Sequence, residues 1–148
     1  MKHPLIQRLH DEFTYPEVSL EDCDEFISEP GLSVLFFGGD PKRYKETTDV
    51  AVVLPELIAA FGGTIRAGVV AKTAELPLQK RFGFRAWPCL VFCRDGGYVG
   101  AITRMKNWSE YLGDIQAFMQ ADVCDPPVFA SDQVPVRGPV ATTQEANG

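Results

Sequence analysis

Histidine is nearly missing: the 148 residues include only His3 and His10, seven apart near the start. A metal site there would need further ligands converging on them. With no other imidazole in the chain, no Ser–His or Cys–His arrangement and no conventional general base can be assembled. Cysteine is also sparse, at positions 23, 89, 93 and 124, and no pair is spaced Cys-x-x-Cys. Four cysteines are too few for a disulfide scaffold, and their spacings suit no zinc motif. A reducing cytoplasm is the simplest setting. Long hydrophobic runs are absent; stretches such as Val50–Leu54 and Leu57–Phe61 stop at five residues, where a membrane helix needs ~20. The opening residues carry charge with no apolar stretch behind it, so no secretory signal is read there. Gly38-Gly39 alone is too little for a phosphate loop. A basic excess is lacking too. The 14 basic and 20 acidic residues give a net charge of -6, which argues against nucleic acid as the main partner. No metal or cofactor is expected.

What is present is ordinary globular composition, 45% hydrophobic and 23% charged, in a length that suits one domain. The charge is unevenly placed. Residues 1–29 hold Lys2 and Arg8 against Asp11, Glu12, Glu17, Glu21, Asp22, Asp24, Glu25 and Glu29, while residues 30–148 balance. The whole net charge therefore lies in the first fifth of the chain. It reads either as a solvated helix face or as a surface that attracts a cationic partner.

Periodicity organises the rest. Leu5, Ile6, Leu9 and Phe13 mark a helix over 4–13. Ser19 is placed to cap a second helix with apolar face Leu20, Cys23, Phe26 and Ile27, stopped by Pro30-Gly31. Ser33–Phe37 reads as a buried strand, and Asp49 as the cap of a helix running to Phe61 through Pro55. Thr64–Ala71 is a second buried strand and Glu75–Phe82 a short helix. Cys89–Cys93 and Tyr98–Arg104 flank an Arg94-Asp95-Gly96-Gly97 hairpin turn. Asn107, with Glu110 three residues on, caps a last helix whose buried face is Trp108, Leu112, Ile115, Phe118 and Met119. Residues 1–124 form the domain. Residues 125–148, with four prolines and no apolar periodicity, read as a flexible tail. The order gives an α/β fold with a mixed central sheet and helices on both faces.

This order, together with Arg81-Phe82-Gly83-Phe84-Arg85-Ala86-Trp87-Pro88-Cys89-Leu90-Val91-Phe92 and the charged turn behind it, resembles a thioredoxin fold. The resemblance implies a cis Trp87–Pro88 bond before the third long strand. Thioredoxins open their first long helix with Cys-x-x-Cys, eight residues ahead of a kink proline. Counting back from Pro55 gives Thr47-Thr48-Asp49-Val50, with no sulfur to form a mixed disulfide. Cys89 and Cys93, four apart on one strand, stand ~13 Å apart, beyond the ~7 Å that a disulfide tolerates. Cys89 and Cys23 read as small buried hydrophobes, and Cys124 as the thiol most open to solvent.

The segment from Gly39-Asp40-Pro41-Lys42-Arg43 to Asp49-Val50-Ala51-Val52-Val53-Leu54-Pro55-Glu56-Leu57 resembles the HyaE/HupG family of accessory proteins for [NiFe] uptake hydrogenase maturation. The resemblance covers about residues 4–122. It implies a non-catalytic chaperone whose client is the hydrogenase small subunit precursor with its twin-arginine signal, and a cytoplasmic site of action. Such a signal is cationic at its start and apolar behind. The acidic segment, with Glu21, Asp24 and Glu25, suits the first part. A groove at Trp87-Pro88, flanked by Asp40 and Asp49, suits the second by strand addition. Two alternatives stand beside this reading. One is an oxidoreductase with a lone thiol at Cys89 or Cys124. The other is a scaffold bridging other hydrogenase maturation proteins.

Overall fold

The computed structural model describes residues 2–127; Met1 and 128–148, which include most of the expected tail, lie outside the described residues. Five strands form one sheet in the order β1 (Glu17–Val18), β3 (Arg66–Val70), β2 (Leu32–Phe37), β4 (Cys89–Arg94), β5 (Gly97–Thr103). β3 runs parallel to both β1 and β2, and β4 antiparallel to both β2 and β5. β2 is buried at all six positions, as a central strand covered on both faces must be. Its alternation divides the core. Leu32, Val34 and Phe36 pack with helices α1 (Pro4–Asp11), α3 (Glu46–Ala60) and α5 (Trp108–Gln120). Leu35 and Phe37 pack with α2 (Cys23–Ser28) and α4 (Glu75–Phe82) on the other face. The Trp87–Pro88 bond is cis and leads directly into β4, the third long strand. The architecture is thioredoxin-like, as the element order and the segment at the cis proline imply.

Several local features depart from the sequence reading. β1 was not anticipated: two residues carry little periodicity, and their strand exists because Val69 and Ala71 donate to the carbonyls of Pro16 and Val18. α2 starts at Cys23 rather than after Ser19, whose hydroxyl accepts from the Asp22 amide in a preceding turn, and Leu20 is left exposed. α3 starts at Glu46, four residues early, so Asp49 lies in its first turn and is not its cap. The extra turn is tied down at its start by two bonds. Thr47 Oγ1 donates to Gly38 O at 2.6 Å, and Glu46 accepts from the Met105 amide at 2.9 Å. α5 begins with the expected capping box: Asn107 Oδ1 accepts from the Glu110 amide at 2.9 Å, and Glu110 accepts from the Asn107 amide at 3.1 Å. Trp108, however, projects from that first turn and is exposed; Tyr111 and Ile115 form the buried stripe instead. In the hairpin Asp95 and Gly96 both take positive φ, the twist that matches the strands on either side. Among the described residues no helix is long and apolar enough to cross a membrane.

Both histidines hold the N-terminus in place. His3 Nδ1 accepts from the Leu5 amide at 3.1 Å, capping α1. His10 Nδ1 lies 2.7 Å from the Tyr15 carbonyl, which can only accept, so Nδ1 carries the proton and Nε2 receives Lys2 Nζ at 2.7 Å.

Candidate functional site

The loop from Gly38 to Lys45 leaves the C-terminal end of β2 and enters α3, crossing in front of the cis proline. Its path depends on Gly39, which has φ +69; a side chain there would meet the Tyr44 and Trp87 rings within about 3 Å. Tyr44 consequently lies over Trp87, stacked at 26° with centroids 6.1 Å apart. Trp87 is anchored from behind by Phe84 at 5.1 Å and Phe37 at 6.1 Å, both edge-on. These are favoured aromatic geometries, so the half-buried indole is fixed before any ligand arrives. The backbone of Trp87 lies outside β4 and makes no backbone hydrogen bond to another described residue, whereas Pro88 O accepts from the Arg104 amide.

Two concavities flank this loop. One, of about 370 Å³, is floored by Tyr44, Ala86 and Trp87 and edged by Arg43, Lys45, Glu46, Arg85 and Arg104. Arg43 lies over the Tyr44 ring, 5.3 Å from its centroid. The Glu46 carboxylate is already engaged. The Met105 amide first, and then the Arg104 guanidinium at 3.5 Å, hold it below the usual carboxylate range, with desolvation working the other way. The second concavity, of about 410 Å³, has an apolar floor of Ile6, Phe36, Val69 and Val70 and a polar edge of Lys2, His3, Lys72 and Glu75. Glu75 is buried and accepts from the Gly39 amide at 3.0 Å. Burial pushes its pKa above the usual carboxylate range, while the Gly39 amide, the Lys72 ammonium and the Gly38 amide pull it back. A buried carboxylate thus holds the start of the loop that carries Tyr44.

The redox position of the fold holds no sulfur. Thr47 and Val50, where the two cysteines would stand, are both buried, and Thr47 is spent on Gly38. Cys23, Cys89 and Cys93 are buried and free, while Cys124 is exposed. Burial alone pushes the Cys89 thiol far above its usual range, and burial with Cys23 nearby pushes Cys93 up to about 12. The thiolate is the reactive form, so burial disfavours the state in which Cys89 would react, and Cys89 packs as a core residue. Among the described residues no group of three or more His, Cys, Asp or Glu side chains converges as a metal site.

The residues singled out from the sequence are only partly brought together. Trp87 lies in the floor of the groove, while Pro88, next to it, is buried and does not line it. Asp40 is exposed and closes its own turn, accepting from the Lys42 amide at 3.0 Å; Asp49 is exposed on α3; neither lines the groove. Glu21, Asp24 and Glu25 sit on or just before α2, all exposed. Asp24 pairs with Arg81 at 2.8 Å; among the described residues Glu21 and Glu25 have no ion-pair partner. Residues missed in the sequence reading are Tyr44, Arg43, Arg104 and Glu75. No local pattern marks them, because each owes its place to contacts across the fold.

A family model described as Hydrogenase-1 expression protein HyaE matches residues 5–111. The chain belongs to the HyaE family. It is 41% identical over 143 residues to the hydrogenase expression/formation protein HoxO of Azotobacter vinelandii, covering 97% of this chain and 93% of the relative. It is 47% identical over 103 residues to HupG of Bradyrhizobium diazoefficiens, covering 67% and 70% of the two chains. The crystal structure of a hydrogenase expression/formation protein hupG from Rhodopseudomonas palustris is similar with a TM-score of 0.51 at 41% identity, covering 70% of this chain and 93% of that one. The HyaE/HupG resemblance of the Gly39–Leu57 segment thus extends over most of the chain.

Proposed function

We propose that this protein is a non-catalytic chaperone in [NiFe] hydrogenase maturation that holds the small subunit precursor through its twin-arginine signal. The observation that carries this reading is the preformed aromatic groove at a Trp87 whose backbone pairs with no other described residue, in a chain whose redox position is Thr47 to Val50. A fold that retains the peptide edge and lacks the thiols can bind without exchanging disulfides. Membership of a family named for hydrogenase expression supports the client. A precursor that still carries its export signal is met before export, so the cytoplasm is the place of action.

Two surfaces divide the signal between them. The apolar stretch lies extended along Trp87-Pro88. The arginine pair faces the acidic segment at Glu21, Asp24 and Glu25, with Asp40 and Asp49 as outer contacts. Exposed ion pairs give only ~0.2–1 kcal/mol each, so several must act together. They are screened within ~8 Å at physiological salt.

A titration of labelled small-subunit signal peptide at low and high salt tests this. Affinity is expected to fall clearly with salt for the wild type. Glu21→Gln/Asp24→Asn/Glu25→Gln together should weaken binding and flatten that dependence. Trp87→Ala should weaken it while leaving the salt slope intact. An acidic triple variant that binds like wild type at both salts would reduce the segment to a solvated face. No binding of the peptide by the wild type would remove the client assignment.

A further inference from the structure

The groove beside the cis proline has a sign, and it is opposite to that of the chain. Leaving Arg85 aside, Arg43, Lys45 and Arg104 edge it with three cations against the single carboxylate of Glu46. Glu46 is turned onto the Met105 amide and Arg104, with Lys106 also acting on it. The edge therefore keeps a positive excess in a protein whose net charge is -6. Arg43 and Lys45, both exposed, make no ion pair with another described residue. A twin-arginine pair placed here would meet like charge.

We infer that this groove takes an extended acidic segment of a partner polypeptide. The aromatic floor of Tyr44 and Trp87 receives its apolar side chains, and Arg43, Lys45 and Arg104 receive its carboxylates. Three features favour a polypeptide over a small anion. Trp87 lines the groove, and its backbone makes no backbone hydrogen bond to another described residue, the requirement for strand addition. The floor is aromatic, which a free phosphate does not use. The cations are spread over the loop before α3, the segment before the cis proline and the residue after β5, so they track a chain and do not converge on one point. Charge of this kind selects partners and steers approach more than it adds affinity.

The inference rests on the reading that the groove receives an extended segment, and it fixes the chemistry of what lies nearest α3. It also predicts how the client is oriented. The arginine pair lies away from the groove, and acidic residues of the partner lie within it.

The test uses the full chain carrying Trp108→Phe, so that emission reports Trp87. Three ten-residue peptides with the same alternating leucines carry glutamate, glutamine or lysine between them. The glutamate peptide is expected to bind roughly tenfold more tightly than the lysine peptide at low salt, from two to three exposed pairs. The gap should close to about two- to threefold at 0.5 M salt, as screening requires. Arg43→Glu/Lys45→Glu should reverse the preference; both side chains are exposed, and an unchanged melting temperature confirms that the variant is folded. Equal affinity for all three peptides, or an unreversed preference in the double variant, would overturn the acidic assignment while leaving the groove as a peptide site. Binding of no peptide would overturn both. An eight-nucleotide oligothymidylate that competes as well as the glutamate peptide would replace the polypeptide with single-stranded nucleic acid and refute the inference.

Discussion

Glu75→Ala should unfasten the loop that builds the groove. The Gly39 amide donates to the Glu75 carboxylate at 3.0 Å in a buried setting, and the Lys72 ammonium reaches Gly39 O at 3.4 Å from the same side. Removing the acceptor strands a buried donor, which costs about 1–3 kcal/mol. For a chain of this size that is a loss of roughly 3–9 °C in melting temperature, at ~3 °C per kcal/mol. Part of the loss is recovered because a desolvated charge disappears with it. Glu75→Gln keeps one acceptor oxygen, so it should lose less. The two variants also separate by pH. The pKa of Glu75 is raised in the folded protein. Between the unfolded carboxylate range and that raised value, the folded state binds more protons than the unfolded state. Stability therefore falls as pH rises through that window, and the Gln variant should lack this component. Lys2, His3 and Lys72 share the cavity, so the difference between wild type and Glu75→Gln, and not either curve alone, reports Glu75. Thermal melts from pH 4 to 8 in a Trp108→Phe background give stability, and Trp87 emission reports whether Tyr44 has left it. A Glu75→Ala protein that melts within 1 °C of wild type at pH 7 with unchanged emission would refute the link from Glu75 to the groove.

Two other outcomes follow from the same geometry. Gly39→Ala forces a side chain into left-handed backbone at about 1–2 kcal/mol and drives it toward Tyr44 and Trp87. It should lower the melting temperature and red-shift Trp87 emission, and wild-type values for both would show that the loop relaxes freely. Iodoacetamide on the native protein should modify Cys124 well ahead of Cys23, Cys89 and Cys93, because only Cys124 is exposed. The same protein should not reduce insulin. Early labelling of Cys89, or insulin turnover abolished by Cys89→Ser, would return a thiol function to it.

Most of the fold was legible because its core strands are long and uniformly apolar. Ser33–Phe37 and Cys89–Cys93 are buried throughout and pair in register as neighbours, Phe37 opposite Cys89 and Leu32 opposite Arg94. Element ends were less legible for a common reason. Asp49 has the chemistry of a helix cap, but α3 gains a turn before it because Glu46 and Thr47 are held by Met105 and Gly38, partners that are distant in sequence. Trp108 fits an apolar stripe by spacing. At the first position of α5, though, that stripe has already run past the sheet, and the indole meets solvent.

The site was half legible, and charge explains which half. Counted along the chain, residues 30–148 are neutral, and no stretch of them reads as basic. Neutrality along a sequence does not require neutrality in space. Arg43 and Lys45 come from the loop before α3, Arg85 from the turn before the cis proline, and Arg104 from just after β5. Folding a mixed sheet sets the exits of β2 and β5 on either side of the entry to β4, and these cations meet there. Acidic residues of the same stretch, such as Asp95 in the hairpin and Asp114 on α5, lie on elements that do not line the groove. The acidic segment needed no such convergence. Its carboxylates cluster within residues 11–29, so a linear count finds them. A reading by sequence therefore assigns the whole electrostatic role to residues 1–29. On the two proposals together the binding surfaces carry opposite sign, and a client bound across both would carry positive charge at one end and negative charge at the other.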